Sequence, residues 1–182
     1  MRDQPGQHLN QAGVVLARRV GENLGRFERV ITSTLPRAFE TAIAMGYAVD
    51  SQVELLAQMS DEVNAEMQWP QSFARIAELY ARGGAVTRFA TEQARIWRAI
   101  AAALSANGRA LMISHGGIVE AGMIGCLPSA EHRAWGDALG YCEGARLQFD
   151  GEKFGDAEIL RVDGAIISNH RVETFRRNVS TQ

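Results

Sequence analysis

Two short apolar runs, each leading into a loop of small polar residues and then a helical pattern, constrain this chain more than any other feature. The first is Val30-Ile31, which runs into Thr32-Ser33-Thr34. Pro36 follows at a helix start, where a proline is tolerated because the first N–H groups of a helix have no partner within it. The second run is Arg109-Ala110-Leu111-Met112-Ile113, set off by an Asn107-Gly108 turn signal. It leads into Ser114-His115-Gly116-Gly117. A short apolar run bounded by turn signals suits a buried strand of a parallel sheet.

Helical periodicity fills the intervals. Residues 10–25 read as a helix, with Ala12, Val15, Leu16, Val20 and Leu24 in step, Asn10 as cap and Gly25 as stop. A second helix runs from Pro36 to about Met45. Patterns return at 71–82 and 88–105, where Phe89, Ile96, Trp97, Ile100 and Leu104 share a face. Residues 47–68 keep no clear period and carry the acidic pair Asp61-Glu62. A helix is expected after Gly117, and Pro128-Ser129 is expected to open another short one. Residues 141–149 and 154–162 read as two strands around an Asp150-Gly151 turn. This order predicts one α/β domain over residues 1–182, a three-layer sandwich with a mostly parallel central sheet and helices on both faces. Ligands of such sheets sit beyond the C-terminal strand ends, where both polar loops fall.

Composition narrows the function. Hydrophobic residues make up 46% and charged residues 22%, enough for a real core. A net charge of −2 gives no reason to expect nucleic acid or an anionic membrane as partner. A few focused arginines can still bind a small anion, because a local field needs no global charge. Cys126 and Cys142 form no Cys-x-x-Cys and read as small hydrophobes in a reducing cytoplasm. No apolar run reaches membrane-spanning length, and the first residues do not read as a signal peptide. The four histidines lack metal-ligand spacing, so no metal and no cofactor are expected. Neither G-x-G-x-x-G nor G-x-x-x-x-G-K occurs, and Ser114 lacks the G-x-S-x-G setting of a serine hydrolase.

The two loops carry the candidate chemistry. In the first, Arg37 stands in the first turn of a helix whose free N–H groups and dipole favour an anion, and its planar fork suits a phosphate bidentately. Taken alone, an ordinary cap with a solvated arginine is the commoner explanation. In the second, His115 at a strand end can donate to a phosphoryl oxygen or exchange protons, and two glycines leave its backbone open to a ligand. A loop histidine held by a hydrogen bond is an equal alternative.

Together the segments resemble the histidine phosphatase, or phosphoglycerate mutase-like, superfamily. That family carries S-S-x-L-x-R-A-x-x-T-A after its second strand, and residues 32–42 read Thr-Ser-Thr-Leu-Pro-Arg-Ala-Phe-Glu-Thr-Ala. Its later strand ends in S-H-G-G, as at Ser114-His115-Gly116-Gly117. Its L-T-x-x-G-x-x-x-A is echoed by Leu9 to Ala17, with Asn10 in place of threonine. The resemblance implies that Arg37, Ser33 and His115 bind the phosphoryl group, His115 as the second active-site histidine. It also implies an acid about 25 residues after the arginine as proton donor to the leaving group. Glu62 fits that spacing, and Asp61 and Glu66 remain open. The implied substrate is a small phosphorylated molecule or a phosphoprotein, and the implied activity is phosphatase or phosphohydrolase chemistry through a phosphohistidine.

The family's nucleophile sits in an Arg-His-Gly at the end of its first strand, and no Arg-His-Gly occurs in this sequence. Either Met1-Arg2-Asp3 is a degenerate form with Asp3 in place of the histidine, or the strand and its motif belong before Met1. The second is expected, since the family's apolar strand residues precede that arginine; the first strand is thus expected to be missing. His8 reads as a polar loop residue. Uncatalysed phosphate-monoester hydrolysis calls for rate enhancements up to the order of 10²¹, and covalent catalysis divides that barrier. Without the nucleophile, a catalytically inactive phospho-ligand binding domain on the same scaffold is the alternative.

Overall fold

Asn10 starts the first helix by accepting the Gly13 N–H on its side-chain oxygen at 2.8 Å. The computed structural model describes residues 8–162, and this helix, α1, spans Gln11–Gly21. It stops short of Gly25 because its end tightens into i→i−3 bonds, Asn23 N–H to Val20 O and Leu24 N–H to Gly21 O. Gly25, at φ +81°, ends that turn rather than the helix. Strand β1 (Arg29–Ser33) follows, then α2 (Pro36–Ala44) with its proline in the first turn. The unpatterned stretch resolves into β2 (Ser51–Val53), a 3-10 turn over Glu54–Leu56, and α3 (Asp61–Met67), whose cap is Ser60. Next come α4 (Phe73–Ala81), α5 (Ala85–Ala102), β3 (Ala110–Ile113) and α6 (Ile118–Cys126). A hairpin of β4 (Gly144–Phe149) and β5 (Phe154–Leu160) closes the described chain.

The expected short helix opening at Pro128-Ser129 is not there. Both residues lie in a turn, and a 3-10 turn forms later, over His132–Trp135. That turn is held from outside: the His132 ring bonds Leu127 O at 2.9 Å and meets Trp135 edge-on, and Trp135 in turn meets Phe73.

The sheet is parallel in the order β2-β1-β3. Its register sets Ile31 beside Met112 and Thr32 beside Ile113. β1 is central, and Val30, Ile31, Thr32 and Ser33 are all buried. β3 is an outer strand, half-buried along its length, and among the described residues no strand pairs with its other edge. β4 and β5 form a separate antiparallel pair. The Met1-Arg2-Asp3 segment lies outside the described residues.

Helices surround the sheet, giving the α/β architecture. α1 packs on α2, and α2 on β1 and β3. The main core gathers Leu56, Met67, Phe73, Ile76, Met123 and Ile124, all essentially fully buried. Burying one such side chain stabilises by about 1.5–3 kcal/mol. α5 and α6 approach closely because Gly122 and Gly125 offer no side chain: a Cβ would fall 2.4 Å from the Trp97 ring and 2.1 Å from Ala90 O, respectively. The effect on the site is direct, since α6 begins where the Ser114–Gly117 loop ends.

Candidate active site

The register that pairs Thr32 with Ile113 brings the two loops side by side at the C-terminal end of the sheet. Ser33 Oγ and His115 Nε2 lie 2.7 Å apart, a hydrogen bond across 82 residues of chain. Ser33 has no exposed surface. Its hydroxyl also accepts the Leu35 N–H at 3.3 Å, and its carbonyl accepts Thr32 Oγ1 at 2.9 Å and Gln52 Nε2 at 3.3 Å. Ser33 is therefore fixed at both ends, and the imidazole it touches is held by a rigid partner.

Arg37 follows in the first turn of α2. The residue is half-buried, with its Nη1 shielded from solvent. One turn later Thr41 Oγ1 donates to Arg37 O at 2.7 Å. Three residues after Arg37 on the same helix, Glu40 accepts the Leu9 N–H at 2.6 Å and is hydrogen-bonded to the His8 ring. The His8 contact, followed by the Leu9 N–H, holds the Glu40 carboxyl below its ordinary range. His8 thus fastens the segment before α1 to the arginine-bearing helix.

The second loop is tied down by side chains from elsewhere. Ser114 Oγ donates to Leu56 O at 2.7 Å, which fixes the loop to the turn after β2. His115 O accepts the N–H groups of Ile118 and Val119, at 3.2 and 3.1 Å. Gly117 takes φ +83°, a conformation that favours glycine, and a Cβ there would meet Met59 at 2.7 Å.

The three candidate acids all belong to α3. Glu62 is exposed (74% for its side chain) and pairs with Arg88 of α5 at 3.1 Å. Glu66 accepts the Val86 N–H at 3.0 Å, at the start of α5. Asp61 opens α3 and is exposed. A different carboxylate approaches the first loop: Glu54, just past the end of β2, accepts Thr34 Oγ1 at 2.5 Å. Sequence reasoning passed over Glu54, although a residue one step beyond a parallel strand falls at the ligand-binding end by topology.

Neither cysteine has the character of a nucleophile. Burial pushes the Cys126 thiol up to about 12 and raises that of Cys142, so both stay protonated at neutral pH, and both are free. Among the described residues no group of three or more His, Cys, Asp or Glu side chains could hold a metal ion, and no helix is long and apolar enough to cross a membrane.

Solved structures share this fold. An Entamoeba histolytica phosphoserine phosphatase, solved with 3-phosphoglyceric acid, is similar at 15% identity and a TM-score of 0.65, over 88% of this chain and 89% of that one. Bacillus stearothermophilus YhfR is similar at 21% identity and a TM-score of 0.58, over 90% and 88%. A mycobacterial glucosyl-3-phosphoglycerate phosphatase is similar at 15% identity and a TM-score of 0.52, over 88% and 91%. No curated protein matches the chain by sequence. The sequence profile of the histidine phosphatase superfamily (branch 1) matches residues 1–157, and the chain belongs to that superfamily.

Proposed function

We propose that this domain binds the phosphoryl group of a small phosphomonoester at the junction of the two loops. The observation that carries the reading is the 2.7 Å contact between Ser33 and His115, which joins the two motifs into one locus. Arg37 is the charged fork for the phosphoryl oxygens, with the N-terminal dipole of α2 behind it. His115 donates to the same group, and Ser33 serves the phosphate site by holding His115.

Hydrolysis would proceed through a phosphohistidine. A histidine nitrogen attacks phosphorus, the ester oxygen leaves with a proton from a carboxylic acid, and water then releases inorganic phosphate. An apolar strand ending in Arg-His, parallel to β3 on its outer edge, would carry the nucleophile to the end of the sheet where His115 stands. The open β3 edge among the described residues supports that placement. Glu62 is the proton donor suggested by spacing, with Asp61 and Glu66 as alternatives. The bond from Thr34 to Glu54 supports Glu54 as a further candidate.

A small phosphorylated metabolite fits the similar structures, two of which are named as phosphatases of such compounds. The chemistry assigned here needs no metal or cofactor, and the two free thiols suit a cytoplasmic setting. A second reading, phospho-ligand binding without turnover, is supported by the engagement of two candidate proton donors elsewhere, Glu62 with Arg88 and Glu66 with the Val86 N–H.

The test compares this chain with a form extended by a strand ending in Arg-His. Calorimetry with inorganic phosphate is expected to find binding in both, removed by Arg37→Ala. Hydrolysis of p-nitrophenyl phosphate is expected only in the extended form. Unchanged phosphate affinity in Arg37→Ala would reject the site. Binding without hydrolysis in both forms would favour the second reading.

A further inference from the structure

Glu120 is a fully buried carboxylate, 0% exposed, in the first turn of α6. Nothing in the reaction outlined above uses it. Its Oε2 accepts the Gly117 N–H at 2.6 Å. Its Oε1 accepts the Trp69 indole N–H at 3.2 Å and the Leu139 N–H at 3.0 Å. The first bond alone is the return half of a capping box, and an acid there suits the helix dipole. An ordinary cap, however, sits in water. This one is sealed inside, where a charge is tolerated only if its lone pairs are satisfied, and three donors from three separate segments supply that.

The three donors share a location. Gly117 ends the loop that begins at Ser114. Trp69 lies across the same loop: a Cβ on Gly116 would fall 2.2 Å from the indole ring. The indole is thus held by its N–H on Glu120 and by its ring edge on Gly116, while 41% of the residue stays exposed. Leu139, itself buried, brings in the segment that follows the His132–Trp135 turn. The loop that presents His115 is therefore fastened at Ser114 through Leu56 O, at Gly116 by Trp69 and at Gly117 by Glu120.

We propose that Glu120 is a positioning residue for His115: its buried carboxylate locks the Gly116-Gly117 backbone and the overlying Trp69, and so sets where the imidazole meets a phosphoryl group. The inference rests on the reading of His115 as a phosphate ligand. Its mechanism is nevertheless visible without ligand. A glutamine at position 120 is nearly isosteric but offers only one acceptor oxygen. If that oxygen keeps Trp69 and Leu139, the amide NH₂ faces the Gly117 N–H, donor against donor. If it turns, the same conflict moves to Trp69 and Leu139.

The experiment records the histidine ring resonances of the whole chain by NMR, and inorganic phosphate binding by calorimetry, in the parent protein, Glu120→Gln and Trp69→Phe. His132 is the internal control, because its ring is held by Leu127 O and Trp135 and none of the three donors to Glu120 bonds it. In Glu120→Gln the His115 resonances are expected to shift or broaden while those of His132 stay put. Phosphate affinity is expected to fall about tenfold, the equivalent of one poorly made charge-assisted contact. Trp69→Phe removes the indole donor and trims the ring edge over Gly116 but leaves the Glu120 bonds to Gly117 and Leu139, so it should move His115 in the same sense but less. Unmoved His115 resonances in a folded Glu120→Gln protein would overturn the proposal, and so would equal movement of both histidines, which marks general loosening. Should Glu120→Gln fail to fold, Trp69→Phe decides alone by the same two resonances. If the parent protein binds no phosphate, the functional reading fails, while the resonances still decide the role of Glu120.

Discussion

β1 and β3 are neighbouring parallel strands of similar length and apolar character, yet they live in different environments. β1 has a strand on each side and buries four consecutive residues, down to Thr32 and Ser33 with no exposed surface. β3 has one partner among the described strands and is half-buried throughout. Their loops differ in the same way. The β1 loop is fixed by its own neighbours, through Thr32, Leu35 and the first turn of α2, and by Gln52 and Glu54 at the end of the adjacent strand β2. The β3 loop is fixed by borrowed groups: Leu56 O, Trp69 and Glu120. One motif residue is therefore anchored in a finished part of the sheet, and the other is held in place by packing that reaches it from three directions. With His115 placed by those contacts, mutations on the β3 side should change ligand affinity more readily than stability.

The largest expected contrast is in the strands themselves. Ile31→Ala should cost about 2–5 kcal/mol in chemical denaturation, as large-to-small changes in a packed core do. Met112→Ala, directly beside it in register but half-buried, should cost roughly half as much, because less apolar area leaves water there. Equal losses would mean that β3 is as interior as β1. Next in size, Gly116→Ala should destabilise by about 1–3 kcal/mol, since the new methyl must displace a tryptophan ring that Glu120 holds. Gly144→Ala, where a Cβ meets nothing within 4 Å, is the matched control and should be near neutral in the same melts. A similar effect is expected from Ser33→Ala, about 1–3 kcal/mol for the two hydrogen bonds its hydroxyl makes, with His115 and with the Leu35 N–H. In that variant phosphate affinity should also drop, because His115 loses its fixed partner; unchanged affinity by calorimetry would detach Ser33 from the site.

The smallest effect is electrostatic. Glu40 is depressed in the folded protein, first by His8 and then by the Leu9 N–H. A lowered folded pKa means that the contribution is complete above the unfolded value and is lost as pH falls through the folded one. Glu40→Gln should thus cost under about 1 kcal/mol near neutrality, given the exposure of the pair. The difference from the parent should fade as pH drops below about 4. A difference that persists unchanged in acid would show that shape rather than charge is at work there.

Much of the fold was legible because its signals are local. Asn10 as cap, Pro36 at a helix start, the turns at Asn107-Gly108 and Asp150-Gly151, and the apolar runs at Val30 and Ala110 each report a backbone preference carried by a few adjacent residues. The same signals failed at Pro128-Ser129, which lie in a turn closed by the Ala130 N–H on Leu127 O. Arg37, Ser33 and His115 could be singled out because strand ends and helix starts are themselves local features.

What the sequence determined by itself, then, was the α/β order and the two strand-end motifs, since hydrogen-bonding periodicity and capping act over a few residues. Only the tertiary structure decided which side chains meet. It joined Ser33 to His115, sent Glu62 to Arg88 and Glu66 to the start of α5, and brought Glu54 against Thr34. It also sealed Glu120 between Gly117, Trp69 and Leu139. Spacing along the chain marks a carboxylate as a candidate, but the donor it finds comes from another element, and its direction is fixed only when that element packs.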